Sequence, residues 1–139
     1  MTTIYDTILD MKNILIILTM LVLTFLMAGR LFAEEITEAQ AVQCIMGEAR
    51  GEPYEGQVAV GEVLRKRGKL SGFYGCFANF KATQGEFKKA QKAWRESSKT
   101  DYSNGATHFE GDSFKQPYWA KDMKVVAHIG RQTFYAKGK

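Results

Sequence analysis

From residue 14 to residue 28 the chain reads ILIILTMLVLTFLMA, fifteen residues without a charge. A run this apolar does not suit the amphipathic face of a helix in a small soluble core, so it takes the start of the chain out of the folded domain. Lys12 precedes it and Arg30-Leu31-Phe32-Ala33 follows it. A basic flank, a Leu/Ile-rich stretch and a small residue at its far edge describe a secretory signal peptide. The run is also shorter than the roughly 20 residues that cross a bilayer comfortably as a helix. The expectation is a signal peptide over residues 1–33, cleaved after Ala33, and a product exported through the inner membrane to periplasm, cell wall or medium. Met11 offers an alternative start, because Asp6 and Asp10 dilute the positive charge expected ahead of the run. The competing reading is an uncleaved anchor, in which case membrane contact is through this segment alone.

Residues 34–139 then form one domain with one modest core. No internal repeat, low-complexity linker or second domain is visible, and a monomer is expected. Lys12 and Arg30 are balanced by Asp6 and Asp10, so the net charge of +4 resides entirely in this part. A basic exported protein is drawn to polyanions, of which bacterial envelopes hold many. Export argues against nucleic acid as the partner, and a generic solubility charge accounts for the balance equally well. The only two cysteines, Cys44 and Cys76, would enter an oxidising compartment. A disulfide between them would contribute about 2–4 kcal/mol to so small a core; two buried free thiols are the alternative.

Thr37-Glu38-Ala39-Gln40 fits a capping box, which starts a helix with Thr37 as its N-cap. Ala41, Cys44, Ile45 and Glu48 follow at i, i+3, i+4 and i+7, on one helical face. A carboxylate therefore continues an apolar stripe. Gly51-Glu52-Pro53 ends this helix, since Pro53 disfavours helical dihedrals at Glu52. A second helix begins with Pro53 in its first turn, buries Ala59, Val60, Val63 and Leu64, and stops at Gly68. Residues 70–80 read as a packed aromatic loop. A third helix spans residues 86–97 with Phe87, Ala90 and Trp94 on one face, and Trp94 in the core. Residues 101–105 form a turn, and residues 106–110 and 132–135 have short-strand character. The fold class is α+β, mainly helical, with a small β element near the C-terminus.

A carboxyl on an apolar stripe loses solvation, which raises its pKa and holds it protonated near neutral pH. A protonated Glu48 can donate to a glycosidic oxygen, the general-acid role in glycoside cleavage. On these grounds alone a buried Glu48 paired with Arg50 or with a basic residue of the second helix is the favoured reading.

The segment Met46-Gly47-Glu48-Ala49-Arg50-Gly51-Glu52-Pro53-Tyr54-Glu55-Gly56-Gln57-Val58-Ala59-Val60 resembles the signature of the SleB-like cell-wall hydrolases, the family containing spore-cortex-lytic enzymes. Gly105-Ala106-Thr107-His108-Phe109, Pro117-Tyr118-Trp119 and the ending Ile129-Gly130-Arg131-Gln132-Thr133-Phe134-Tyr135 resemble later family segments in matching order. Lys66 stands where members carry asparagine, Lys81 follows Phe80 where they carry a hydroxyl residue, Asn104 replaces a glycine, and Gln132 stands where many have histidine. The resemblance implies a compact, lysozyme-like or lytic-transglycosylase-like domain acting on peptidoglycan. The bond implied is the β-1,4 link between N-acetylmuramic acid and N-acetylglucosamine, with Glu48 as the catalytic acid.

In the implied mechanism Glu48 protonates the bridging oxygen, then takes a proton from the C6 hydroxyl of the muramic acid, which closes on the anomeric carbon. That intramolecular attack needs no second carboxylate, no metal and no organic cofactor. Hydrolysis by water would need a second acid across the cleft. Glu52, Thr107, His108, Tyr118, Trp119 and Tyr135 are the candidate sugar-binding residues; Glu52 has orienting and helix-capping roles as alternatives. Two rival readings remain. One is a peptidoglycan amidase or endopeptidase using Cys44 with His108 or His128, although Cys44 lies two turns into its helix, away from the terminus that lowers a thiol pKa. A zinc amidase lacks any H-E-x-x-H or H-x-H arrangement. The other rival is a non-catalytic wall-binding module of the same fold.

Overall fold

The computed structural model describes residues 4–31, 35–112 and 115–138; the expected cleavage point after Ala33 lies outside them. The chain divides into two units, Met1–Glu34 and Glu35–Lys139. The first is helix α1, Ile4–Leu31. Its side chains from Met11 to Phe25 are all exposed, apolar ones included. Among the described residues no helix is long and apolar enough to cross a membrane.

The second unit is α+β, with three helices followed by a three-stranded sheet. Helix α2, Glu38–Ala49, opens with both bonds of the Thr37/Gln40 capping box. Its phase puts Ala41, Cys44 and Ile45 fully inside. Pro53 stands at the N-cap of α3, Tyr54–Arg67, rather than within its first turn, and no side chain caps that end, so Glu52 does not serve as a cap. Val60, Val63 and Leu64 are fully buried, and Gly68 closes the helix in the left-handed conformation at φ 63°. The aromatic loop contains a short 3-10 helix, Tyr74–Phe77.

Helix α4 covers Gln84–Glu96, two residues earlier than the periodicity suggests, because Thr83 and Glu86 form a second capping box. That T-x-x-E signal was legible in the sequence. Ala90, Ala93 and Trp94 carry the buried face, whereas Phe87, one turn nearer the start, is exposed and contributes nothing to it. The carboxylate of Glu62 on α3 is buried and accepts hydrogen bonds from Thr100 Oγ1 (2.7 Å), Tyr102 N (3.0 Å) and Ser103 N (2.7 Å). These bonds fasten the turn before the sheet to the helical layer.

Strands β1 (His108–Gly111), β2 (Met123–Ile129) and β3 (Gln132–Lys137) are antiparallel in the order β1-β3-β2. Strand β2 escaped sequence analysis because an irregularity between Val125 and Ala127 breaks its alternation. Central β3 buries Phe134 against the core of the three helices, which also holds Trp94. The sheet thereby stands beside the C-terminal end of α2.

Candidate active site

Glu48 lies in the last turn of α2, where the apolar stripe runs out of core and meets a cleft of about 650 Å³. Two features fix its surroundings. Cys44, one turn earlier, is joined by a disulfide to Cys76 of the 3-10 helix. The backbones of Gly47 and Gly75 touch, so a Cβ on either would overlap the main chain of the other. This approach brings the Gly75 N–H to the carboxylate, and it donates to Glu48 Oε1 at 2.6 Å. From the sheet, Gln132 Nε2 donates to the Glu48 carbonyl at 3.1 Å and holds the end of the helix. Gln132 Oε1 is buried without a hydrogen-bond partner among the described residues.

Replacing Cys44 and Cys76 together by alanine should lower stability by about 2–4 kcal/mol, read as a fall in urea midpoint under non-reducing conditions. Some activity surviving in this variant would at the same time dismiss a Cys44 nucleophile.

Burial is the largest influence on Glu48 and raises its pKa; the Gly75 N–H opposes it, and the negative charge of Glu110 adds to the rise. A general acid must be protonated, so the alkaline limb of the activity profile should lie above the ordinary glutamate range. Glu110→Gln removes a charge that favours the protonated form. The expected result is an alkaline limb moved to lower pH, seen in kcat/KM measured across pH.

Glu52, His108 and Trp119 line this cleft, as the sequence had suggested. Glu52 is nonetheless committed: its carboxylate accepts from Arg131 N at 2.8 Å and pairs with the Arg131 guanidinium at 3.1 Å. Gly130 turns with φ 59° beside this pair, and a side chain there would strike Glu52 and Pro53. Glu52 thus ties the bend after α2 to the β2–β3 hairpin. Thr107, Tyr118 and Tyr135 do not line the cleft. Thr107 Oγ1 lies 2.9 Å from His108 Nδ1 and orients that ring, while Tyr135 is buried and packs edge-on against Trp119 at 5.4 Å. The 3-10 helix Tyr118–Asp122 turns Trp119 toward His108 (ring centroids 5.2 Å) and leaves Tyr118 in solvent.

Four further lining residues were not singled out from sequence: Arg67, Tyr74, Glu110 and Asp112. Tyr74 is exposed to 91%, a ring face open to the cleft. Glu110 lies in β1 and Asp112 directly after its last residue, Gly111, at the two-residue spacing that puts side chains on one face of extended chain. That spacing was the available signal.

Taken together, the architecture is a small mainly helical α+β domain whose cleft carries a desolvated carboxyl between helical layer and sheet. The fold is that of SleB catalytic domains. The catalytic domain of the Bacillus cereus SleB protein matches with a TM-score of 0.54 at 24% identity, over 71% of this chain and 89% of that one. The catalytic domain of the germination-specific lytic transglycosylase SleB from Bacillus anthracis matches with a TM-score of 0.55 at 24% identity, over 71% and 93%. No family model matches the sequence, and no curated protein does.

Proposed function

We propose that the domain from Glu35 onward is an exported peptidoglycan-degrading enzyme that cleaves the β-1,4 bond between N-acetylmuramic acid and N-acetylglucosamine as a lytic transglycosylase. The observation that carries this reading is Glu48: a half-buried carboxyl at a cleft, aimed by the Gly75 N–H and with its pKa raised by burial. The fold it shares with a lytic transglycosylase and the long motif around Glu48 support the same reading. The exposed Tyr74 and the half-buried Trp119 supply ring faces suited to pyranose stacking.

In this mechanism the Glu48 proton goes to the bridging oxygen as oxocarbenium character develops on the muramic acid. The Glu48 carboxylate then accepts the proton of the C6 hydroxyl as that oxygen bonds to the anomeric carbon, giving an anhydro end. The N-terminal segment acts as signal peptide or anchor and delivers the domain to its substrate. A second reading, hydrolysis, is favoured by Glu110 and Asp112, since either supplies a second carboxylate in the cleft to activate water.

Mass spectrometry of the fragments released from purified sacculi tests both. Anhydro-ended fragments support transglycosylation, and reducing ends support hydrolysis with a role for Glu110 or Asp112. Free stem peptides would overturn the assignment of the bond, and binding without any release would leave a wall-binding module.

A further inference from the structure

Arg67 ends α3 and lines the same cleft. Its guanidinium lies 4.4 Å above the Phe73 ring, and its Nη2 donates to the Ser71 carbonyl at 2.6 Å. A side chain on Gly72 would crowd it, and Gly72 is held at φ 86°. The head group is therefore fixed in place before any ligand arrives. The two ion pairs among the described residues are Glu38–Arg95 and Glu52–Arg131, so Arg67 has no carboxylate partner there. Burial lowers its pKa with no acidic neighbour opposing, yet a guanidinium stays charged in any protein setting.

The charge around Arg67 is not isolated. His108, lining the same cleft, is held toward its neutral form first by burial and then by the positive fields of Arg67, Lys137 and Lys69. Just past the other end of β1, Asp112 accepts from Thr133 Oγ1 at 2.9 Å and donates its N–H to the Arg131 carbonyl at 2.7 Å, beside the Glu52–Arg131 pair. Over β1, from His108 to Gly111, an extended chain rises by about 10 Å. The cleft thus has the Arg67 guanidinium toward its His108 end, while Glu110, Asp112 and the Glu52–Arg131 pair line the other, with Glu48 opening onto it.

We infer that Arg67 reads a carboxylate of the glycan substrate, seating the muramic acid sugar at its own end of the cleft and so fixing the direction in which the strand lies. The inference rests on the glycan-cleaving reading. Of the two sugars in the strand, only muramic acid carries a lactyl group, whose carboxyl is either free or amide-linked to a stem peptide with carboxylates of its own. A planar guanidinium matches a carboxylate through two parallel N–H donors, and one held in advance loses little freedom on binding.

The test uses the full chain with Arg67→Met and Arg67→Lys. Three glycan preparations are cut: strands with stems, strands stripped of stems by an amidase, and stripped strands whose lactyl carboxylates are methyl-esterified. The wild type should show KM about tenfold lower on stripped strands than on their esters. Arg67→Met should cut both with the same, higher KM at nearly unchanged kcat. Arg67→Lys, which keeps the charge but not the fork, should retain part of the preference. A rise in KM in Arg67→Met confined to stem-bearing strands would place the carboxylate on the stem rather than on the lactyl group. A wild type indifferent to esterification whose KM on stem-bearing strands is also unmoved by Arg67→Met, or an Arg67→Met that keeps the preference or loses kcat equally on every strand, overturns the inference while the glycan-cleaving reading stands. Failure of the wild type to cut any strand removes that reading as well.

Discussion

Glu48→Gln should lower glycan cleavage by about 10²–10⁴-fold, the range spanned by loss of a positioned acid–base group. The amide keeps the acceptor that the Gly75 N–H needs, so the cleft geometry survives. Stability should hold or rise at neutral pH, and the sign follows from linkage. A carboxyl whose pKa is raised by folding stabilises fully below its unfolded pKa and loses that contribution as pH climbs through the folded value. A neutral amide has nothing to lose there. Thermal melts of both proteins at pH 4 and pH 8 check this: the mutant should gain on the wild type only at the higher pH. Unimpaired release of fragments by Glu48→Gln would show that another group is the acid.

Gly47→Val is expected to act on fold and catalysis together. The new side chain would meet the Gly75 main chain, which cannot swing aside as a flexible side chain would. Overpacking of this kind typically costs about 1–3 kcal/mol, and contact with backbone places the cost at or above the top of that range. Any relief must come from moving the 3-10 helix away from α2, against the Cys44–Cys76 link. That movement withdraws the Gly75 N–H from Glu48. The expected result is a lower urea midpoint with unchanged m-value, and a kcat deficit that persists where the protein is still folded. A variant as active and stable as the wild type would mean that the two backbones need not touch.

The helical half of this molecule was legible because its signals are local. The capping box at Thr37, the stripe from Ala41 to Glu48, the proline break and the Gly68 stop each act within one or two turns. The site was legible only where it coincides with such a signal, as at Glu48, or with a motif, as at His108 and Trp119. Arg67 closes α3 and Tyr74 opens the following 3-10 helix, and both meet at the cleft through the fold of residues 68–73 between them, which no periodicity encodes. Tyr118 and Trp119 are neighbours in sequence with identical claims to sugar binding, and the turn of a 3-10 helix sends one to solvent and the other inward. Glu52 shows the converse: its chemistry suited the site, but a partner 79 residues away had claimed its carboxylate.

The groups that set up Glu48 come from widely separated parts of the chain. Gly75 lies 27 residues downstream and Gln132 84 residues downstream, in the last strand. Such distant pairings form late, because the intervening chain must be ordered first. If the chain is exported N-terminus first, as proposed, Glu48 emerges long before the strand that steadies its helix. On the proposed export route the cleft is not assembled until β3 has crossed, so completion of transport would itself arm the site.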